Sequence, residues 1–257
     1  MNVLQGMRVV ITGAGSGIGR ATAELLAARG VCLVLSDVKE QAVSELAAEL
    51  ARGQSNAIIP QSCNVRDAAD CEHLIDAAVR QLGGLDALVH CAGILRPAGS
   101  RPRPLWELDD AEYNAVVGTN LQGTFFMNRA ALRILTAQRA GQIINISSTS
   151  GQKGRPLDSL YSASKAGVIG LSESIAEEAR SFGVRVQVLL PDAVATPLWE
   201  QNGPLVPPPP GSLPAGRIAE IIAMCLSLPY DTFLDKLVIA PFRLRKGRGR
   251  TSPESSP

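Results

Sequence analysis

The sequence has almost no charge imbalance, since 25 Lys and Arg residues stand against 24 Asp and Glu residues in a chain of 257. Without a strong positive field, there is no electrostatic reason to expect a nucleic acid or an anionic membrane as a partner. No apolar run reaches the length of a membrane span, and residues 1–11 show no signal-peptide pattern. We therefore expect a cytoplasmic protein with neither nucleic acid nor membrane as a partner.

The cysteines lack the spacing of a metal site or of a disulfide framework. The five are odd in number and scattered, with no Cys-x-x-Cys and no Cys/His cluster among them. We expect reduced cysteines within the core and no metal.

A glycine-rich turn separates a β-branched run at residues 8–11 from a helical pattern at residues 20–29. Glycines let the backbone approach an anion closely, and the amides and dipole at a helix N-terminus favour negative charge. The order of strand, glycine turn and helix therefore predicts a phosphate cradle.

Two common phosphate motifs are missing from this turn. A Gly-x-Gly-x-x-Gly pattern would need its last glycine at Ile18 or Arg20, and no Gly-Lys-Ser/Thr follows. The glycine pattern that the turn does contain is Gly13-x-x-x-Gly17-x-Gly19. A methyltransferase-type loop and a turn without a ligand remain alternatives.

Asp37 ends the next strand-like run, residues 31–35, about 20 positions beyond the glycines. A carboxylate there can accept a hydrogen bond from the 2′-hydroxyl of an adenosine ribose. The same residue and Glu40 also fit a capping box that opens a helix extending to residue 52. The two roles can coexist.

Strand-like and helix-like segments alternate along the chain, which predicts a parallel sheet with helices on both faces. We predict strands at residues 8–11, 31–35, 57–63, 86–90, 142–147, 184–190 and 234–240, and helices at residues 20–29, 38–52, 67–82, 109–122, 161–182 and 217–228. Ligands bind at the carboxyl ends of parallel strands. His90 and Cys91 fall at such an end, although a packed histidine and a buried thiol are the favoured interpretation.

Three further segments carry predictions. Asn120, a poor helix former in a helical segment, indicates a kink, a polar contact or a satisfied buried amide. Prolines accumulate at residues 197–215, which favours an irregular insert covering a substrate, or alternatively a proline-rich ligand for a partner domain. We predict one domain at residues 1–242 and a disordered, basic and then Ser/Pro-rich tail at residues 243–257.

Tyr161 and Lys165 lie four positions apart in a helical pattern, so their side chains share one face. A nearby ammonium favours the phenolate, which suits a phenol for acid–base work near neutral pH. Ser148, at the end of a strand, can offer a hydroxyl to the same substrate oxygen. A surface lysine beside a half-buried tyrosine is the alternative.

These motifs occur together in a recognisable order. With Thr12-Gly13-x-x-x-Gly17-Ile18-Gly19, Asn120, Ser148 and Tyr161-x-x-x-Lys165, the sequence resembles the classical short-chain dehydrogenase/reductase family over nearly all of its length up to about residue 241. The resemblance implies a single Rossmann-type domain, a doubly wound parallel sheet of about seven strands, with a nicotinamide cofactor.

The resemblance also implies roles for individual residues. Tyr161 would exchange a proton with the substrate oxygen, and Lys165 would lower the pKa of Tyr161 and hold the nicotinamide ribose. Ser148 would orient the substrate oxygen and Asn120 would hold a water in the proton relay. The implied cofactor-binding residues are Gly13, Ser16, Gly17, Ile18, Gly19, Asp37, Asn64, Val65, Ala92, Gly93, Tyr161, Lys165, Pro191 and Thr196.

We expect NAD rather than NADP. Ser16 and Val38 are not cationic, and Asp37 would repel a 2′-phosphate. Lys39 and Arg20 are the reasons for which NADP stays an alternative.

The sequence departs from the family pattern at several positions. Asn64 stands where an aspartate usually meets the adenine, His90 and Cys91 replace an Asn-Asn pair, and Asp192 replaces a glycine. The carboxylate of Asp192 would favour the oxidised nicotinamide, accept hydrogen bonds from a polar or cationic substrate, or point to solvent.

The predicted function is hydride transfer between NAD(H) and a secondary alcohol or ketone. We expect the substrate pocket to be built from residues 95–96, residues 149–160 and the insert. Family analogy predicts a homo-oligomer, a dimer or tetramer. A catalytically silent dinucleotide-binding regulator or scaffold is the alternative, whereas a methyltransferase would leave Ser148, Tyr161 and Lys165 unused.

Overall fold

The structure is a computed structural model, and it describes residues 3–53, 55–203 and 206–242. Its centre is a parallel sheet of seven strands in the order β3-β2-β1-β4-β5-β6-β9. The strands of this sheet are β1 (Arg8–Thr12), β2 (Cys32–Asp37), β3 (Ile58–Ser62), β4 (Ala87–His90), β5 (Gly141–Ile146), β6 (Val184–Pro191) and β9 (Lys236–Ile239). Two short strands, β7 (Val194–Ala195) and β8 (Leu213–Pro214), pair separately.

Helices cover both faces of the sheet. They are α1 (Gly17–Ala28), α2 (Glu40–Leu50), α3 (Ala68–Leu82), α4 (Asp110–Val117), α5 (Gly123–Gln138), α6 (Ser159–Arg180) and α7 (Ala215–Ser227). Successive side chains of a strand point to opposite faces, so Val9 packs in the layer of α1, α2 and α7, and Val10 packs in the layer of α3, α5 and α6. Burial on both faces explains why the strands read as continuous apolar runs.

The strand order creates the crevice in which the site lies. The chain runs outward from β1 to β3 and then returns to the other side of β1, where Val10 is paired with Val34 of β2 and with Leu88 of β4. In a doubly wound sheet, the carboxyl ends of the strands at this reversal form the ligand crevice. The predicted Rossmann-type single domain with seven parallel strands is thereby confirmed.

The structure tests two local predictions and shows one pairing that was not predicted. The capping box at Asp37 is wrong, because Lys39 is the N-cap of α2 and makes no side-chain capping bond. The irregularity at Asn120 is confirmed, since residues Gly118–Gln122 form a π-helical turn between α4 and α5. The pairing of β7 with β8 was not predicted, because two-residue strands have no periodicity to read.

The tail at residues 243–257 lies outside the described residues, so its predicted disorder and the domain limit at residue 242 stay predictions. Within the three described ranges, no helix combines the length and the apolar character needed to cross a bilayer.

Candidate active site

A cleft of about 840 Å³ opens at the carboxyl ends of the central strands. One wall is the glycine turn after β1, and the opposite wall is formed by the loop after β5 and the first turn of α6. The segment after β6 covers the cleft, including residues 191–194 and 196–201.

The glycine turn fits the close approach of a backbone to a phosphate. Gly13 has a φ of 64°, and a Cβ atom there would lie 2.7 Å from the backbone nitrogen of Ala92. A Cβ on Gly19 would lie 2.2 Å from the carbonyl oxygen of Gly13. α1 begins at Gly17, and its N-cap, Ser16, makes no side-chain capping bond. The amides in the first turn of α1 are therefore not capped by the Ser16 side chain, and the glycines beside them leave room for a ligand. Such a site suits the pyrophosphate of a dinucleotide.

Asp37 lies at the rim of this turn. Its Oδ2 accepts a hydrogen bond from the Gly15 amide at 3.1 Å, and its Oδ1 accepts one from the Lys39 amide at 3.0 Å. These two bonds fix the carboxylate at the adenosine end of the cleft. Arg20 donates instead to Glu24 at 2.9 Å and to Glu49 at 3.0 Å, which neutralises one of the two cations that favoured NADP.

The cleft brings together every residue that the sequence predicted for cofactor binding. The lining includes Gly13, Ser16, Gly17, Ile18, Gly19, Asp37, Asn64, Val65, Ala92, Gly93, Tyr161, Lys165, Pro191 and Thr196. Of the predicted catalytic residues, Ser148, Tyr161 and Lys165 also line the cleft, and Asn120 does not.

Ser148 and α6 carry the side chains that the sequence predicted to be catalytic. Ser148 is the N-cap of a short 3₁₀ turn, Thr149–Gly151, and its Oγ accepts a hydrogen bond from the Ser150 amide at 3.1 Å. The Ser148 hydroxyl lies close enough to the Tyr161 side chain to act on it, and it lowers the pKa of Tyr161. Nζ of Lys165 donates to the carbonyl of Ile146 at 2.9 Å and lies 5.8 Å from the centroid of the Tyr161 ring. The hydroxyls of Ser148 and Tyr161 and the ammonium of Lys165 thus lie near one another in the lining of the cleft.

The electrostatics of this cluster differ from the prediction. Burial raises the pKa of Tyr161 to about 12, and the nearby Ser148 hydroxyl acts in the opposite direction. Burial also lowers the pKa of Lys165 to about 8. The net pKa of Tyr161 is therefore raised, because burial dominates, and the part of Lys165 in lowering it stays a prediction. Arg155 is a cation that does lower the Tyr161 pKa.

Asn120 lies behind the site with no exposed surface. Its Oδ1 accepts from the Ile94 amide at 2.8 Å, and its Nδ2 donates to the Ile94 carbonyl at 2.8 Å and to Ser164 Oγ at 3.0 Å. The side chain ties the loop after β4 to α6. Its predicted part in a water relay stays a prediction.

His90 and Cys91, which depart from the family pattern at the end of β4, lie in different environments. His90 is packed as predicted, with Nδ1 2.7 Å from Thr12 Oγ1 and with burial that lowers its pKa to about 3. Cys91 was expected to be fully buried, but it is partly exposed and lines the cleft.

The substrate side is held together by side-chain contacts between residues whose pairing the sequence did not indicate. Arg155 pairs with Asp192 at 2.5 Å, and Arg96 pairs with Asp158 at 2.5 Å. The Oε1 atom of Gln201 accepts hydrogen bonds from the amides of Leu95 at 2.7 Å and Arg96 at 3.1 Å.

The predicted pocket ranges need two corrections. Arg96 is buried against Asp158 and does not line the cleft, whereas Leu95 does. Of the described part of the insert, only residues 197–201 reach the cleft, because the later residues turn away to pair as β8 with β7.

Comparison with known proteins agrees with this geometry. The short chain dehydrogenase family profile matches residues 7–204. The chain is 40% identical over 189 residues to the cis-4-hydroxycyclohexanecarboxylate dehydrogenase of Sinomonas cyclohexanicum, covering 74% of each chain. It is 34% identical over 198 residues to the 3-oxoacyl-[acyl-carrier-protein] reductase of Thermotoga maritima, covering 77% of this chain and 78% of the relative.

A solved structure shows the same fold. The 3-ketoacyl-(acyl-carrier-protein) reductase of Brucella melitensis, complexed with NADH, superposes with a TM-score of 0.81 at 27% identity, covering 92% of this chain and 98% of that one. The strand order, the glycine turn and the Ser148, Tyr161 and Lys165 cluster are all accounted for by one assignment. The chain belongs to the short-chain dehydrogenase/reductase family of oxidoreductases, which bind a nicotinamide dinucleotide.

Proposed function

We propose that the chain transfers a hydride between NAD(H) and a secondary alcohol or the corresponding ketone. The observation that carries this proposal is that the hydroxyls of Ser148 and Tyr161 line the same cleft as the glycine turn. A carbonyl oxygen that reaches both hydroxyls is held by two donors, and one of them can give it a proton.

The protein's own groups move the proton. In ketone reduction, the Tyr161 hydroxyl donates its proton to the substrate oxygen while the Ser148 hydroxyl donates a hydrogen bond to that atom. In alcohol oxidation, the same proton returns to Tyr161. The ammonium of Lys165, 5.8 Å from the ring centroid, stabilises negative charge on the phenol oxygen as the proton leaves. The nicotinamide, when bound, supplies or accepts the hydride.

Asp37 supports NAD as the cofactor. Its carboxylate is fixed at the adenosine end of the cleft by two backbone amides, where a ribose 2′-hydroxyl can donate to it and a 2′-phosphate would be repelled. Arg20 is engaged by two glutamates. Lys39 lines the cleft and is the cation that keeps NADP as the weaker candidate.

The names of two relatives support a secondary alcohol or ketone as the reacting group. The relative from Sinomonas cyclohexanicum is named for a ring hydroxyl, and the relative from Thermotoga maritima is named for a 3-oxo group. A silent regulator would have no use for a complete Ser148, Tyr161 and Lys165 cluster. Assembly as a homo-oligomer and a cytoplasmic location remain predictions from family analogy and from the sequence.

The proposal is tested by incubating the protein with NAD⁺ or NADP⁺ and a panel of cyclic and linear secondary alcohols, and by following the nicotinamide absorbance. We expect absorbance to rise with NAD⁺ and at least one alcohol, and to stay flat for Tyr161→Phe. If NAD⁺ binds tightly but no alcohol or ketone in a broad panel reacts, the regulator alternative replaces the enzyme.

A further inference from the structure

Arg155 and Asp192 form an ion pair across the substrate side of the cleft. Arg155 lies in the loop that joins the 3₁₀ turn to α6, and Asp192 directly follows β6. The Nη2 atom of Arg155 donates to Asp192 Oδ1 at 2.5 Å, and Thr149 Oγ1 donates to the same oxygen at 3.0 Å. Two segments separated by 37 residues are thereby joined beside Tyr161.

Most donors of this guanidinium stay available to a ligand. An arginine side chain carries five N–H donors in a planar fork. The contacts of Arg155 with Asp192 and with Thr149 both use Nη2, and no described residue accepts from Nε or Nη1. The side chain is 40% exposed and lines the cleft. Nε and Nη1 are therefore left to donate to an anion, each through its own hydrogen bond.

Among the cationic side chains that line the cleft, Arg155 is the one best placed to bind a substrate. Four Lys and Arg residues line the cleft within the described part of the chain, and Lys39 and Arg66 belong to the adenosine end. Lys165 is engaged by the Ile146 carbonyl. Arg155 lies close enough to the reacting hydroxyl for its charge to lower the pKa of Tyr161.

The neighbouring acids offset only part of this charge. Asp158 is paired with the buried Arg96, and Asp192 pairs with Arg155 itself through Nη2, which leaves the donors of the other two guanidinium nitrogens for a ligand. Glu200 lines the cleft on the covering segment and is exposed, where water screens its charge. An ion pair as exposed as Arg155 and Asp192 adds little to folding stability, so stability alone does not account for its position in the cleft.

We propose that Arg155 binds a carboxylate on the substrate, so that the enzyme acts on a hydroxy acid or the corresponding keto acid. This inference rests on the proposed hydride transfer at Tyr161. Asp192 is a positioning residue that holds Nη2 in the cleft and leaves Nε and Nη1 to the substrate. A lysine would supply charge there, but its single ammonium could not bind Asp192 through one nitrogen and the substrate through others.

The experiment compares a hydroxy acid with its methyl ester, which has the same ring and hydroxyl but no charge. The probe pair is 4-hydroxycyclohexanecarboxylate and its methyl ester, extended to other hydroxy acids and their esters. For the acid, Arg155→Gln should lower kcat/KM by roughly 10- to 100-fold, the loss of a charge-assisted contact, mainly through KM. For the ester, the fall should stay below about 3-fold. Arg155→Lys should fall between the wild type and Arg155→Gln for the acid.

Arg217→Gln is the matched control, since Arg217 is an exposed arginine on α7 that pairs with Glu220, and it should leave both reactions unchanged. Equal losses for acid and ester in Arg155→Gln would overturn the inference, as would a wild type that turns over neutral alcohols or amino alcohols in preference to every acid tested. Those results leave the proposed function intact. Absence of turnover with all acids, esters and neutral alcohols would overturn both.

Discussion

The two halves of the cleft are built by different means. The cofactor half, around Gly13, Gly19 and Asp37, is shaped by backbone: glycines that leave no room for a Cβ, and a carboxylate held by two amides. The substrate half is shaped by side-chain pairs between distant segments, such as Arg155 with Asp192 and Gln201 with residues 95–96.

This difference explains how separate changes can act on the two halves. A backbone cradle depends on the local spacing of glycines, so any side chain added there removes binding of every dinucleotide. A side-chain pair can be exchanged without moving the sheet, so the substrate can change while the chemistry stays. The Ser148, Tyr161 and Lys165 cluster stands where the two halves meet.

The largest effect on turnover is expected at the cluster of Ser148, Tyr161 and Lys165. Tyr161→Phe removes the proton donor while keeping the ring, so turnover should fall by at least about 10²-fold, as is typical for loss of a general acid or base. NAD⁺ affinity, measured by calorimetry, should change little. Tyr113→Phe, at an exposed tyrosine on α4, is the control. Wild-type turnover in Tyr161→Phe would show that the proton comes from another group.

The next effect belongs to the cofactor half. Asp37→Ala removes the carboxylate that accepts from the ribose and repels a phosphate. A charge-assisted hydrogen bond contributes about 1.5–3 kcal/mol, so the preference for NAD over NADP in kcat/KM should narrow by roughly 10- to 100-fold. Asp231→Ala, at an exposed aspartate, should leave the preference unchanged. A wild type that already prefers NADP would refute the role given to Asp37.

A smaller effect on kcat is expected as the pH is varied. Burial lowers the pKa of Lys165 to about 8, so its ammonium is present below that pH and is lost above it. With the charge beside the phenol gone, kcat for ketone reduction should fall by up to about tenfold per unit as the pH rises through the pKa of Lys165. Lys165→Arg keeps a cation at all these pH values and should lose this falling limb. The same limb in both proteins would assign it to another group.

The smallest effect is expected from replacing Gln201, whose side chain joins the segment that covers the cleft to the loop after β4. The side-chain carbonyl of Gln201 accepts from two amides of the loop after β4, and each such bond contributes about 0.5–1.5 kcal/mol. Gln201→Ala should raise KM for the substrate several-fold, while NAD⁺ affinity stays within about twofold because the glycine turn is untouched. Gln41→Ala on α2 provides an exposed control. Equal weakening of substrate and NAD⁺ would show that the two halves are not separable.

The same contrast determines what could be predicted from the sequence. The alternation of strands and helices, the spacing of Gly13, Gly17 and Gly19, and the four-residue separation of Tyr161 and Lys165 are local patterns, and each led to the observed element or to the cleft. Asn120, a poor helix former in a helical segment, led to the prediction of a kink, a polar contact or a satisfied buried amide. It is a buried, hydrogen-bonded amide in a π-helical turn that the sequence did not predict.

Long-range pairing is what the sequence could not supply. Asp37 and Glu40 have the spacing of a capping box, yet tertiary position turned the Asp37 carboxylate toward the glycine turn instead. Asp192 was singled out as a departure from the family, but nothing in its own segment indicated Arg155 as its partner. Burial of Tyr161 was also invisible at the level of residue spacing, and it reverses the expected direction of the pKa shift.

The most direct measurement of the central claim is isotope transfer. An alcohol that the screen identifies as a substrate is deuterated at the carbinol carbon and incubated with the protein and NAD⁺, and the recovered NADH is examined by mass spectrometry. Hydride transfer in the cleft predicts NADH that carries the deuterium. NADH formed without deuterium, while the alcohol is consumed, would contradict a direct hydride transfer and with it the account of this site.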